Sequence, residues 1–522
     1  MAPEYSTDLF SQNMRHPPPH ETTVIGRAGA ENAIAPLLLM VLNDFHRENI
    51  SYCYWKSSRR VNCGLTGEAD LDLLMAKQDQ HRSQVILLER GLKLFPSVPC
   101  RDHPALVSYL CYDEPSSRII HLHLHFRLIA GNSLFKNYRI PWEKAILART
   151  IVHPMLPIRM LDPVSEALLL VIRSCLELRW SDPIVLRDWQ AAEHKFELDR
   201  GELAARIDRG SLRSQAVELL GDDLGEMVAD AIHGEPRPKP VRSLRRSIQR
   251  HLAAHRVYNA FEAGLRSFVR AVLWAAGNLN KRFIWAPRPW NRRAPGGGLV
   301  VAVIGVDGSG KSSVVAAIRE WLTPEIDVVP IYFGTGAGRP SLILWPFKLM
   351  VPLITRLLRT NSKSGLYGKI SDRAPGPLYS VLLMVWATVV AIEKRIKLAA
   401  AHRGANRGLV VVTDRYPQNE IVGFNEGPLM SRLTRVPFWL RRFEAATYSL
   451  AHRLPPDLVV KLLVTPETAA RREPDMDPVA ISIRIAAVPR LAFPGARVVC
   501  IDAEQPLNEV IRSVKQEIWR LL

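Results

Sequence analysis

The run Gly305-Val306-Asp307-Gly308-Ser309-Gly310-Lys311-Ser312-Ser313 constrains this chain more than any other feature. It fits G-x-x-x-x-G-K-[ST]. The uninterrupted apolar run 299–304 before it reads as a strand, and residues 313–322 after it read as a helix. Glycines let such a loop curl so that backbone N–H groups point inward, and the following helix N-terminus favours an anion there. Lys311 would then reach the β- and γ-phosphates of a nucleotide, and the Ser312 hydroxyl would ligate Mg²⁺. Gly305, Asp307, Gly308, Ser309, Gly310 and Ser313 complete the expected ATP cradle. Further apolar runs at 328–332, 408–413 and 458–464 alternate with helical stretches, which predicts an α/β fold with a parallel sheet covered on both faces.

Phosphoryl transfer also needs a carboxylate near the metal and cations on the transferred group. The run 408–413 ends in Asp414-Arg415-Tyr416, and a carboxylate at the carboxyl end of a core strand sits where parallel sheets place ligands. A salt-bridged turn is the plainer alternative. After 458–464 comes Pro466-Glu467-Thr468-Ala469-Ala470-Arg471-Arg472, whose arginines would either close over phosphates or lie on a solvated helix face.

Together these motifs resemble thymidylate kinase, over about residues 299–522. The resemblance implies a P-loop kinase with ATP and Mg²⁺. Asp414 would sit by the metal, Arg415 on the acceptor phosphate, Asp307 near the acceptor sugar, and Arg471 and Arg472 in a lid. After the run 328–332 this chain carries Phe333-Gly334-Thr335-Gly336-Ala337-Gly338-Arg339 in place of an Arg-Glu-Pro turn, and a long insertion, 340–376, follows. Arg339 and Arg373 are therefore candidate acceptor ligands. The acceptor is expected to be a small phosphorylated or hydroxylated molecule resembling a nucleotide monophosphate. The alternative is an ATP-binding regulatory module controlling the N-terminal part or a partner complex.

In the N-terminal part, Asp70-Leu71-Asp72 puts two carboxylates on one face of an alternating strand, a pattern that can hold divalent metal. Trp55-Lys56-Ser57-Ser58 follows an earlier strand, with eleven residues between Ser58 and Asp70. This resembles the nucleotidyltransferase fold, an α+β domain expected over 33–160. On a later alternating run, His121, His123 and His125 stand where that fold carries a third acidic residue; they are either metal ligands or ordinary strand residues.

The 522 residues carry a formal charge of +18, and most of it has one address. Between Pro236 and Arg293, fourteen Lys and Arg face a single acid, Glu262. Residues 161–280 read as a helical connector, basic from 236, with one long helix from about 241 to 276. Val257, Tyr258, Phe261, Leu265, Phe268, Val269, Val272 and Leu273 form its apolar face, opposite Arg256, Arg266 and Arg270. Packing between domains, docking on an anionic membrane surface through 241–293, and nucleic-acid binding are the alternatives. No nucleic-acid motif supports the last. Residues 281–298, rich in Pro, Gly and Arg, read as a linker, and 1–32 as a flexible arm. Six cysteines without a CxxC pair, and no secretory signal at the N-terminus, suit a reducing cytoplasmic setting, with peripheral membrane contact an option. The apolar stretches 342–358 and 378–392 are too short or too interrupted for membrane spans. Oligomerisation stays open.

Overall fold

Alternating apolar residues in the first third pair into a seven-stranded mixed sheet. Its strands are β1 (Tyr52–Tyr54), β2 (Leu71–Met75), β3 (Lys93–Leu94), β4 (Leu106–Asp113) and β5 (Arg118–His125), with β8 (Thr150–Val152) and β9 (Arg159–Leu161). β6 (Leu128–Ala130) and β7 (Tyr138–Ile140) form a separate ribbon. The spatial order is β3-β4-β5-β2-β1-β9-β8. The computed structural model describes residues 34–132, 135–177, 189–234, 240–284, 286–334, 377–421, 428–430, 433, 435–474 and 478–522. The arm 1–32 and the candidates Arg339 and Arg373 lie outside them.

A second sheet is entirely parallel, in the order β11-β12-β10-β13-β14. Its strands are β10 (Leu299–Ile304), β11 (Val328–Tyr332), β12 (Val410–Asp414), β13 (Leu458–Leu463) and β14 (Arg497–Asp502). β10, β12 and β13 are apolar along nearly their whole length because helices cover both faces, including Lys311–Leu322 and Pro377–Asn406. Among the described residues, no helix is long and apolar enough to cross a membrane.

The helices after the first sheet do more than connect. Pro163–Glu177 packs Leu168, Leu169 and Ile172 into one apolar cluster with Cys53, Trp55 and Leu74 of the sheet. Ser58 N donates to Glu166 Oε1 at 2.7 Å, which fixes the turn after β1 against that helix.

One expectation for the basic region fails. The long helix is broken into Pro240–His251 and Ala260–Leu279. Between them Val257 N donates to Asn137 O (2.8 Å) and Tyr258 N to Asn137 Oδ1 (3.2 Å), so the chain leaves helical geometry to pair with the first domain. Asn259 then caps the new helix by accepting from Glu262 N.

The apolar face of the second helix points outward, and of the three arginines expected opposite it only Arg270 turns inward. Arg270 is only 7% exposed and donates to the carbonyls of Asp102 and Pro99, while Phe261 (82%) and Phe268 (68%) face outward. Gly277 sits on the inner face, where a Cβ would come within 3.2 Å of the Trp290 ring.

The segment 281–298 is strapped down at many points. Asn291 N and Trp290 N both donate to Asp327 Oδ2, Ala294 N donates to Gly408 O, and Arg292 pairs by a β-bridge with Ser97.

Candidate functional site

The glycine-rich loop leaves the carboxyl end of β10 and enters the helix Lys311–Leu322. Gly308 (φ 81°) and Gly310 (φ 87°) adopt left-handed backbone, which glycine accepts without strain. A Cβ at Gly305 would lie 2.4 Å from Ser309 Oγ, so the first turn also needs glycine. β12 lies beside β10 with Val303 opposite Asp414, and this register brings Asp414 to the mouth of the loop.

Five charged side chains converge there. Lys311 is buried, and its Nζ donates to Val306 O at 2.6 Å while lying 3.7 Å from Asp307 Oδ1. Asp307 accepts from Arg415 Nη2 (2.8 Å) and from Arg484 Nη1 (3.2 Å). Burial works against the Asp307 charge, but Arg415, Lys311 and Arg484 outweigh it and hold the carboxyl below its ordinary value. Burial pulls the Lys311 ammonium down, an effect Asp307 partly offsets. Burial pushes Asp414 up, against the pull of Lys311 and Arg415. Arg415 itself has a positive φ of 68°, a sparsely populated conformation that turns the chain sharply after Asp414.

The loop residues expected from sequence are thus brought together with Asp414 and Arg415. Ser312 and Ser313 are exposed in the first turn of the helix. Of the two expected lid arginines, Arg472 donates to Gly308 O at 3.1 Å, whereas Arg471 is exposed on the same short helix, Pro466–Arg472. Arg484 was not anticipated. Its signal is the single charge in a mainly apolar helix, Pro478–Ala487, and that helix docks against Pro466–Arg472.

A second constellation lies in the first sheet. Parallel pairing sets Asp72 beside His123, so Asp70, Asp72, His121, His123 and His125 share a face. Asp70 sits just before the strand rather than within it. Burial opposes the Asp72 charge, yet Lys56 and hydrogen bonds from His123 and His125 hold that carboxyl well below the usual range. A cavity of about 570 Å³ adjoins both carboxylates and is lined further by Trp55, Lys56, Lys136 and Arg173. Burial and the neighbouring Arg173 pull the Lys56 amine down to about 8. Sequence reading pointed to the carboxylates and flagged the histidines. It missed Lys136 and Arg173, which come from distant segments.

Fold and site together define a multidomain α/β protein, with a mixed sheet and a separate parallel sheet carrying a glycine-rich loop at its carboxyl edge. No protein-family model matches the chain. The chain is similar to the uncharacterized ATP-binding protein YghS of Escherichia coli (strain K12), at 29% identity over 227 residues, 43% of this chain and 93% of that protein. It is also similar to the uncharacterized ATP-binding protein YghR of the same strain, at 27% identity over 241 residues, 45% of this chain and 90% of that protein.

Proposed function

We propose that residues 299–522 bind ATP with Mg²⁺ and transfer its terminal phosphoryl group to a small phosphorylated or hydroxylated acceptor, as a thymidylate kinase-like domain. The observation that carries this reading is the convergence of Lys311, Asp307, Asp414 and Arg415 at adjoining ends of β10 and β12, around a loop whose glycines cannot carry side chains. The residues fit the groups they would hold. Among the described residues, the buried Ser309 Oγ and Asp414 Oδ1 have no hydrogen-bond partner, which is costly unless a ligand satisfies them. The similarity to two proteins named as ATP-binding supports the same reading.

In this scheme the loop N–H groups and Lys311 bind the phosphates, and Ser312 and Asp414 hold Mg²⁺. The metal supplies charge neutralisation on the phosphate oxygens when bound. Arg415 and Arg484, both anchored on Asp307, set two cations at the loop mouth. Arg472 on Gly308 O can swing from that carbonyl to a phosphate oxygen, which is the stronger, charge-assisted partner. Lys311→Ala should abolish Mg·ATP turnover, and Asp414→Asn should lower kcat by about a hundredfold or more. Equal turnover in wild type and Lys311→Ala would overturn the assignment.

A second reading, ATP-gated control of the N-terminal domain, is favoured by one contact. Glu325, which follows the helix Lys311–Leu322, places Oε2 3.1 Å from His121 Nδ1. Tight ATP binding with no phosphoacceptor in a broad metabolite screen would select it.

A further inference from the structure

The histidines of β5 do more than fill a strand. His121 Nδ1 lies 2.7 Å from Asp70 Oδ1, and His125 Nε2 lies 2.8 Å from Asp72 Oδ1. Between them, His123 Nδ1 lies 3.3 Å from Asp72 Oδ1 and 3.7 Å from Asp70 Oδ2. These separations bracket the ligand-to-ligand edge of about 3.3 Å expected for a tetrahedral ion with bonds of about 2.0–2.1 Å. Both Asp70-His121-His123 and Asp72-His123-His125 bring one ligand atom from each residue within 4.8 Å of the others. Three imidazoles crowd one face, with the rings of His121 and His123 3.9 Å apart.

We propose that Asp72, His123 and His125 hold one divalent transition-metal ion of the Zn²⁺ type, with Asp70 on its open side. Two carboxylates alone would suit a hard ion such as Mg²⁺; adding imidazole nitrogens moves the preference to borderline metals. His123 Nδ1 is common to both triads and can bind only one ion, which sets the stoichiometry at one per chain. The Asp72 triad is the better cage, because the Asp72 side chain is 17% exposed against 47% for Asp70. Asp70 and Asp72 also line the 570 Å³ cavity beside Lys56, Lys136 and Arg173, so the open coordination position faces a basic chamber suited to an anionic ligand. His121 bonds Asp70 and reaches Glu325, which holds the Asp70 carboxylate on the open side of the ion.

The inference is independent of the phosphoryl-transfer reading and is tested without nucleotide. Full-length protein, stripped with chelator, should take up one Zn²⁺ per chain, and Co²⁺ in its place should give the intense visible bands of a tetrahedral site. His123→Ala and the shape-conserving Asp72→Asn should both lose the ion and the bands. His121→Ala, which removes no ligand, should keep the ion and the bands. Lys311→Ala should bind the ion normally. Thermal melts of the metal-free variants separate ion loss from misfolding. Cobalt bands that persist in folded His123→Ala, ready displacement of Zn²⁺ by Mg²⁺, or no stoichiometric uptake would each overturn the site.

A different observation carries a second proposal. Phe261, Leu265, Phe268, Val272 and Phe283 share one outward face of the segment 260–284, with Arg266 and Arg282 beside them. We infer that this face lies on an anionic membrane surface. The apolar residues would enter the interface, and the exposed Arg266 and Arg282 beside them would meet the lipid charge. Vesicles of phosphatidylcholine with phosphatidylglycerol should sediment the full chain, and vesicles of phosphatidylcholine alone should not. The double change Phe261→Glu and Phe268→Glu should weaken that binding by tenfold or more, by about one Phe burial lost per site. Equal binding by the variant would overturn the proposal. So would a dimer in solution that the same substitutions dissociate, with no vesicle binding by either form.

Discussion

At the residue scale, Lys56 is the side chain whose chemistry most departs from its sequence context. Its Nζ lies 4.1 Å from the centre of the Trp55 ring, and the Arg173 guanidinium stacks on that same ring at 5.1 Å. Burial disfavours the ammonium and Arg173 adds like-charge repulsion, while Asp72 pulls the other way; the balance leaves a pKa of about 8. The neutral amine therefore accumulates as pH rises through about 8, well before an ordinary lysine. In the metal-free protein a small acylating reagent should modify Lys56 ahead of the other lysines at neutral pH, with a midpoint near 8, as read by peptide mass mapping. Arg173→Met should move that midpoint upward by removing the like charge. No sequence spacing could have disclosed this. The two cations are more than a hundred residues apart, and only folding stacks them on one indole.

The element scale shows where periodicity is a sound guide and where it misleads. Alternation at 118–125 correctly placed three histidines on one face, because a strand's period of two is a property of the backbone itself. The same logic on residues 257–273 gathered the apolar residues of Ala260–Leu279 but left open which way they face. A helical face says which residues lie together, not which way they point. The orientation was settled by partners outside the helix: backbone carbonyls of Asp102 and Pro99 that accept from Arg270, and the Trp290 indole packed close against Gly277. The break before this helix is likewise local chemistry, held by the Asn259 cap. Asn259→Ala should cost about 1 kcal/mol of local stability and raise amide exchange in the first turns of 260–279. Unchanged exchange there would mean that tertiary contacts, not the cap, define the helix start.

At the scale of the whole molecule, the two sheets do not hang on a tether. Trp519 from the C-terminal helix Leu507–Leu521 stacks on Phe95 (5.9 Å) and meets Trp321 edge-on (6.5 Å), and Tyr112 packs edge-on to Trp321 at 5.3 Å. Lys93 Nζ donates to Trp519 O (2.7 Å), and Lys515 Nζ donates to Ser117 O (3.0 Å). Apolar residues of both sheets belong to one continuous buried cluster. Cooperative unfolding of the two sheets is the expected consequence. Trp519→Ala should cost about 3–5 kcal/mol and split one calorimetric transition into two. A single transition that merely shifts downward would show that the coupling runs mainly through the strap at 286–298.

Local sequence determined the parts whose geometry is written into the backbone. The loop Gly305–Ser313 needs glycine at its tight turns. Buried strands such as Leu299–Ile304 are apolar along their length, and alternating strands place Asp70, Asp72 and the three histidines on one side. Tertiary structure decided everything that depends on partners from elsewhere in the chain. It brought Arg484 to Asp307, set Lys56 against Arg173, turned the connector helix apolar side out, and fastened the proline- and glycine-rich segment into a strap. The physical reason is the range of the interactions. Backbone conformation is governed by a residue and its near neighbours. Charge pairing, burial and face orientation are set by which surfaces meet when the sheets close on one another.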